Sequence, residues 1–362
     1  MYHSLLASRT ARAILFRSDG THDLHVNDSS AGMPTPGPDA RQAPAGGSPI
    51  IRVEYLKEQR PASQILAQLR FGAAGPSIAG APLTIDVALE PLRPTAATEL
   101  WLANGPVRTG QLGKVRYAED GELLFAIVEV DERSAGGIRG AAESAYRAIR
   151  EFQAQSGFPH LLRMWNYMDA INEGPGDLER YRLFCVGRVA ALGSEAAAEA
   201  YPAATAIGRK QSTHVLQVFW LASRTPGRAI ENPRQVSAYR YPRAHGPVSP
   251  TFSRATLTAD GSLLISGTAS IVGHASQHPG DASEQLEETL RNLSALSAHV
   301  EESVGTRQST ELLKVYLRDP AFLEPVAARL RQTHPHSEAI FLAADICRRE
   351  LLVEIEAVRL GS

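Results

Sequence analysis

The last stretch of the chain, "RRELLVEIEAVRL" (348–360), sets two carboxylates, Glu354 and Glu356, into an apolar run with a period of two. Alternation of this kind predicts a β-strand with two unlike faces. Residues two apart point to one side, so the two glutamates share a face and Val353, Ile355 and Ala357 share the other. On a solvated face such carboxyls only keep a sheet in water. On a desolvated face a carboxyl favours its protonated form and becomes a general acid able to work at neutral pH. Glu356 then either raises its neighbour's pKa or sits at the rim.

Other residues carry chemistry by type and setting. Cys347 lies seven positions before Glu354, where a lone cysteine is ordinarily an inert small hydrophobe. Arg163 sits inside the apolar "LLRMWNYMDAIN", costly to bury unless it meets an anion. A substrate carboxylate would serve, and so would an internal acid such as Asp169. Gly267 in "SGTAS" allows either a close ligand approach or a simple β-bulge. The pairs His274/His278 and His334/His336 lie beside Gly or Pro with no third ligand, and read as loop histidines. No GxGxxG, P-loop or GxSxG is present.

The 362 residues carry a formal net charge of -2, which gives no general reason to expect nucleic acid or an anionic membrane as partner. The two cysteines form no CxxC, fit no disulfide framework or zinc site, and suit a reducing compartment. No segment reaches the ~20 apolar residues of a membrane span, and "MYHSLLASRTARAILF" has no signal-peptide core. A soluble, cytoplasmic protein without metal or cofactor is expected.

The elements that must position these residues occur twice. "VRYAEDGELLFAIVEVDE" and "ATLTADGSLLISGTASIVG" each predict two strands joined at Asp-Gly, where glycine supplies the positive φ of a tight turn. A helix follows in each; in the second, Leu286, Leu290, Leu293, Leu296 and Val300 share one face. A third strand, a shorter helix and a closing strand or strand pair complete a ββαβαβ(β) order. The fold class is therefore α+β: two tandem, pseudo-symmetric units, each a mixed sheet with helices on one face. The divisions are 1–49, an N-terminal segment with the Pro/Gly-rich loop 28–49, then 50–232 and 233–362. The pieces "IIRVEYL" and "LTIDVALEPL" are expected to add strands to the first unit or to cover its edge.

The second copy resembles the RidA (YjgF-type, chorismate-mutase-like) imine deaminase family from "SPTFSRATLTADGSLLISGTASIVG" to "LLVEIEAV". That family's carboxylate-binding arginine is replaced here by Ala339, which argues against imine deamination. Taken together, "FPHLLRMWNYMDAIN", "YPAATAIG", "NPRQVSAYRYPRAHGPVSPTFSRA", "SGTASIVGHASQHPGD" and "ICRRELLVEIEAV" make the full chain resemble the chorismatase family, which carries two RidA-like units in one polypeptide. The resemblance implies cleavage of the enolpyruvyl ether of chorismate, giving pyruvate with 3-hydroxybenzoate, 4-hydroxybenzoate or both. It implies Glu354 as the catalytic acid and Cys347, found in the hydroxybenzoate-forming members, as its helper. Arg163, Tyr241, Arg254, Gly267 and Thr205 become substrate contacts, with Tyr239 and Arg240 as substitutes should the register differ. Hydrolysis to a dihydroxycyclohexadiene carboxylate, or RidA-like binding of a small ligand without turnover, are the alternatives. One site per chain, in the cleft between copies, and a monomer or weak homo-oligomer are expected.

Overall fold

The computed structural model describes residues 51–58, 60–72, 82–93, 97–193, 201–305 and 310–361. The segment 1–49 and its Pro/Gly-rich loop lie outside the described residues.

Both Asp-Gly signals are turns. Strands Val115–Glu119 and Leu123–Asp131 meet at Gly121 (φ 96°), where the Asp120 carboxylate accepts the amides of Glu122 and Leu123. Strands Ala255–Leu257 and Leu263–Ala269 meet around Gly261 (φ 84°). The first copy continues through helix α1 (Ile138–Ser156), strand His160–Asp169, helix α2 (Arg180–Leu192) and strands Ala203–Arg209 and Val215–Ser223. The second continues through helix α3 (Ala282–Val304), strand Glu311–Leu317, helix α4 (Leu323–Thr333) and strands Glu338–Ala343 and Val353–Arg359.

Each copy thus runs ββαβαββ, and its five strands form the body of a seven-stranded mixed sheet that other segments complete. The leucine face of α3 packs on Val353, Ile355 and Ala357, as the periodicity required. Both sheets bury their helix-free faces as well, against each other and against a third sheet. Among the described residues no helix is long and apolar enough to cross a membrane.

That third sheet corrects the expectation that 50–106 adds strands to the first copy or covers its edge. Strands Val53–Tyr55, Thr98–Leu102, Ile65–Phe71 and Leu83–Val87 form a separate four-stranded sheet in that spatial order. Its pairings are antiparallel, antiparallel and parallel. Leu123–Asp131, Val215–Ser223, His160–Asp169 and Ala203–Arg209 repeat this pattern in the first copy, and the second copy repeats it around Val353–Arg359. Three sheets of one inner topology therefore enclose a common core containing Trp101, Trp165, Phe219 and Tyr316. Two crossings tie the copies further. Strand Asp345–Ile346 of the second copy pairs with Ile207 and Gly208 of the first sheet, and Arg228–Ile230 already belongs to the second.

Candidate active site

Glu354 and Glu356 leave the closing strand on one side, as the alternation required, and enter unlike surroundings. Glu356 accepts hydrogen bonds from Arg163 Nη2 (2.7 Å), Thr205 Oγ1 (2.7 Å) and Trp165 Nε1 (2.9 Å). It also pairs with Lys314 Nζ (2.8 Å), which reaches Glu99 of the third sheet at 2.8 Å. Burial alone would raise the Glu356 pKa; Lys314 and Arg163 outweigh it and hold the carboxyl at about 2. Glu356 is a buried anion at the junction of three sheets, not a rim residue.

Glu354 is only 4% exposed, and no hydrogen-bond partner for its carboxyl is found among the described residues. Burial pushes it up to about 8, the Glu356 carboxylate adds to the shift, and Arg163, Arg254 and Arg318 oppose it. At neutral pH Glu354 holds its proton.

Gly267 makes room for that acid. A Cβ there would overlap Glu354 Oε1 and press on Thr205 Cγ2 at 3.1 Å. The ladder to the closing strand is also irregular between Ile265 and Thr268, so the bulge and the close approach are one device, with Glu354 rather than a ligand as the approaching group. Gly267→Ala is expected to lower kcat about a hundredfold by displacing the carboxyl, with the circular dichroism spectrum retained. An unchanged kcat would show that the acid has freedom to move aside.

The acid faces an open cleft of about 310 Å³ that narrows to an inner chamber of about 40 Å³. One wall comes from the second copy: Tyr241, Arg254, Gly267, Cys347 and Arg348. The other comes from the first copy, through α2 and the strand bearing Thr205. Arg254 donates from Nη2 to Tyr241 Oη (2.7 Å) and the Val236 carbonyl (3.0 Å). Arg348 lies 5.3 Å from the Tyr241 ring on the opposing loop, so the tyrosine has a guanidinium from each of two segments. Arg318 fixes that loop through Asp345, Ile346 and Arg348, which places Cys347 against the cleft. Part of Cys347 is open to the cleft; burial, and then Glu354, push its thiol up to about 12, so it is a neutral thiol.

The structure therefore gathers Glu354, Cys347, Tyr241, Arg254 and Gly267 at one cleft. Tyr239 instead packs beside Tyr201, with Arg240 over its ring, and neither lines the cleft. Two expectations are corrected. Arg163, 1% exposed, lines neither cavity and pairs with Glu356, because the anion that offsets its burial is internal. Thr205 reaches the chamber wall, but its hydroxyl already donates to Glu356 and accepts from Gly267 N (2.9 Å) and from Arg163. Both act as supports for the acid.

Sequence reasoning passed over Arg348, Arg182 and His245 at the mouth. The arginine beside Cys347 was visible in "ICRRELLVEIEAV"; His245 gave no signal. His274 is an exposed loop histidine, with its Nδ1 3.0 Å from His245 Nε2. Burial and Arg348 lower the His245 pKa to about 4. No group of three metal-binding side chains gathers among the described residues.

Fold and cleft together define an α+β protein of two tandem copies with a protonated acid in an arginine-lined cleft. Residues 99–222 match the family described as "Chorismatase FkbO/Hyg5-like, N-terminal". A 3-hydroxybenzoate synthase from Streptomyces hygroscopicus is 34% identical over 75% of this chain and 85% of its own. A chorismatase from Streptomyces rapamycinicus is 37% identical over 80% of this chain and 90% of its own. A chorismatase crystal structure superimposes with a TM-score of 0.75 at 32% identity, covering 86% of this chain and 98% of that one. The chain belongs to the chorismatase family.

Proposed function

We propose that this chain is an enzyme that converts chorismate to a hydroxybenzoate and pyruvate, with Glu354 as general acid. The observation that carries the reading is a proton-bearing carboxyl, buried and unpartnered, facing a cleft lined by arginines. The relatives named chorismatase and 3-hydroxybenzoate synthase support the substrate and an aromatic product.

An enol ether is inert until its methylene carbon is protonated. Glu354 delivers that proton, and the resulting carboxylate sits beside the oxocarbenium ion it has created. The neighbouring ring hydroxyl then displaces the ether oxygen, giving pyruvate and an epoxide-like ring, and the hydroxyl proton restores Glu354. Opening of the epoxide with loss of a ring proton gives the hydroxybenzoate. Atoms balance without water or redox change, so no step needs a cofactor. Arg254 and Tyr241 hold the ring carboxylate and hydroxyl, and Cys347, as a neutral thiol, moves protons during aromatisation. Both walls of the cleft come from one chain, so a monomer or weak homo-oligomer suffices.

A coupled pyruvate assay on chorismate tests the reading, and a protein that binds chorismate without releasing pyruvate would leave only the ligand-binding alternative. An absorbance scan separates 3- and 4-hydroxybenzoate from the dihydroxy diene of simple hydrolysis. Cys347→Ala is expected to keep pyruvate release and shift product toward that diene. Unchanged hydroxybenzoate output would reduce the thiol to packing.

A further inference from the structure

With Arg163 withdrawn from the cavity, one of chorismate's two carboxylates lacks an assigned partner. Arg188 on α2 is 5% exposed and among the described residues pairs with no acid. Its Nη2 donates to the Thr251 carbonyl (2.6 Å), its guanidinium lies 4.8 Å from the Tyr146 ring, and its Nε has no partner. The Thr251 hydroxyl beside it is unpartnered too. A buried guanidinium without an anion is costly, and that cost is removed when an anion binds.

Arg188 lines the inner chamber together with Asn166, Cys185, Cys347 and Glu354. The Asn166 amide is committed, donating to the Thr205 carbonyl and accepting from Tyr146 Oη. Burial pushes the Cys185 thiol up to about 11, and Cys347 and Glu354 also keep their protons at neutral pH. The chamber thus presents positive charge alone. At about 40 Å³ against about 310 Å³ for the outer cleft, it is the smaller of the two spaces and fits the small arm of a substrate better than its ring.

We propose that Arg188 is the receptor for the enolpyruvyl carboxylate, so that the small end of the substrate enters the chamber while the ring stays in the outer cleft beside Tyr241 and Arg254. The methylene is bonded to the carbon that bears this carboxylate, and Glu354 lines both chamber and cleft, so anchoring at Arg188 sets the methylene against the acid. Arg188 is in this sense a specificity residue: it admits an ether whose small arm ends in an anion.

The proposal rests on the chorismate reading, and product inhibition tests it separately. Arg188→Gln is expected to raise KM for chorismate by about ten- to a hundredfold, the loss of one charge-assisted hydrogen bond. It should abolish inhibition by pyruvate and leave inhibition by the hydroxybenzoate in place, with Arg188→Lys restoring part of the pyruvate effect. Loss of hydroxybenzoate inhibition with pyruvate inhibition intact would overturn the assignment, as would an unchanged KM. Should Arg188→Gln not fold, the wild-type protein decides: pyruvate should raise its Tm and methyl pyruvate, which lacks the anion, should not. Equal stabilisation by acid and ester overturns the proposal. Failure of wild-type protein to release pyruvate from chorismate would sink the function reading instead, and the acid–ester comparison would still judge Arg188.

Discussion

Glu354→Gln is expected to lower kcat for pyruvate release at least about a hundredfold, because amide and carboxyl match in size but the amide has no proton of useful acidity to give. Chorismate binding should persist, since the arginines are untouched. The same variant should be more stable than its parent above neutral pH. The folded-state pKa of Glu354 is raised from 4.5 to about 8. Its contribution to stability is therefore complete below about 4.5 and declines as pH rises toward 8, a decline that glutamine abolishes. Near-normal turnover in Glu354→Gln would end the general-acid mechanism. A variant that is inactive and also less stable at pH 8 would point to structural damage.

Glu356→Gln should act on folding and on its neighbour's acidity at once. Removing one partner of a buried ion cluster costs about 3–5 kcal/mol, because Arg163 and Lys314 stay behind. For a chain of this size that is a fall in Tm of roughly 5 °C. The wild-type kcat/KM should decline as pH rises through about 8, where Glu354 loses its proton. Without the Glu356 charge, Glu354 ionises more readily, so in the variant this decline should begin at lower pH. An unmoved alkaline limb together with an unmoved Tm would deny Glu356 both roles.

The tandem copies, their Asp-Gly turns, the leucine face of α3 and the shared face of the two glutamates could be read from the sequence, because each depends on spacing within a few residues. Burial on both sides of the closing strand could not, since one cover is α3 and the other is an opposing sheet. The third sheet escaped notice for a related reason: among its described residues it has no α-helix to make its short strands recognisable as another unit. Arg163 shows the limit most clearly. Its type announced a buried anion, but that anion, Glu356, lies 193 positions away and only assembly brings them together. Arg188 left a signal that went unused. A cation on the same helical face as Phe184, Cys185 and Ala191, within "FCVGRVAAL", is as anomalous as Arg163 in its strand.

The ion cluster also bears on how such a chain comes apart. Arg163 leaves the first sheet with a surplus positive charge, Glu99 leaves the third with a surplus negative one, and in the second Lys314 and Glu356 cancel. Only in the assembled three sheets do these four charges cancel. A lone copy would have to hydrate or neutralise a charge at the centre of its inner face, so partly unfolded forms that keep one copy intact are penalised. Despite its repeated layout, the protein has the energetic design of a single cooperative unit, losing its sheets together rather than one after another.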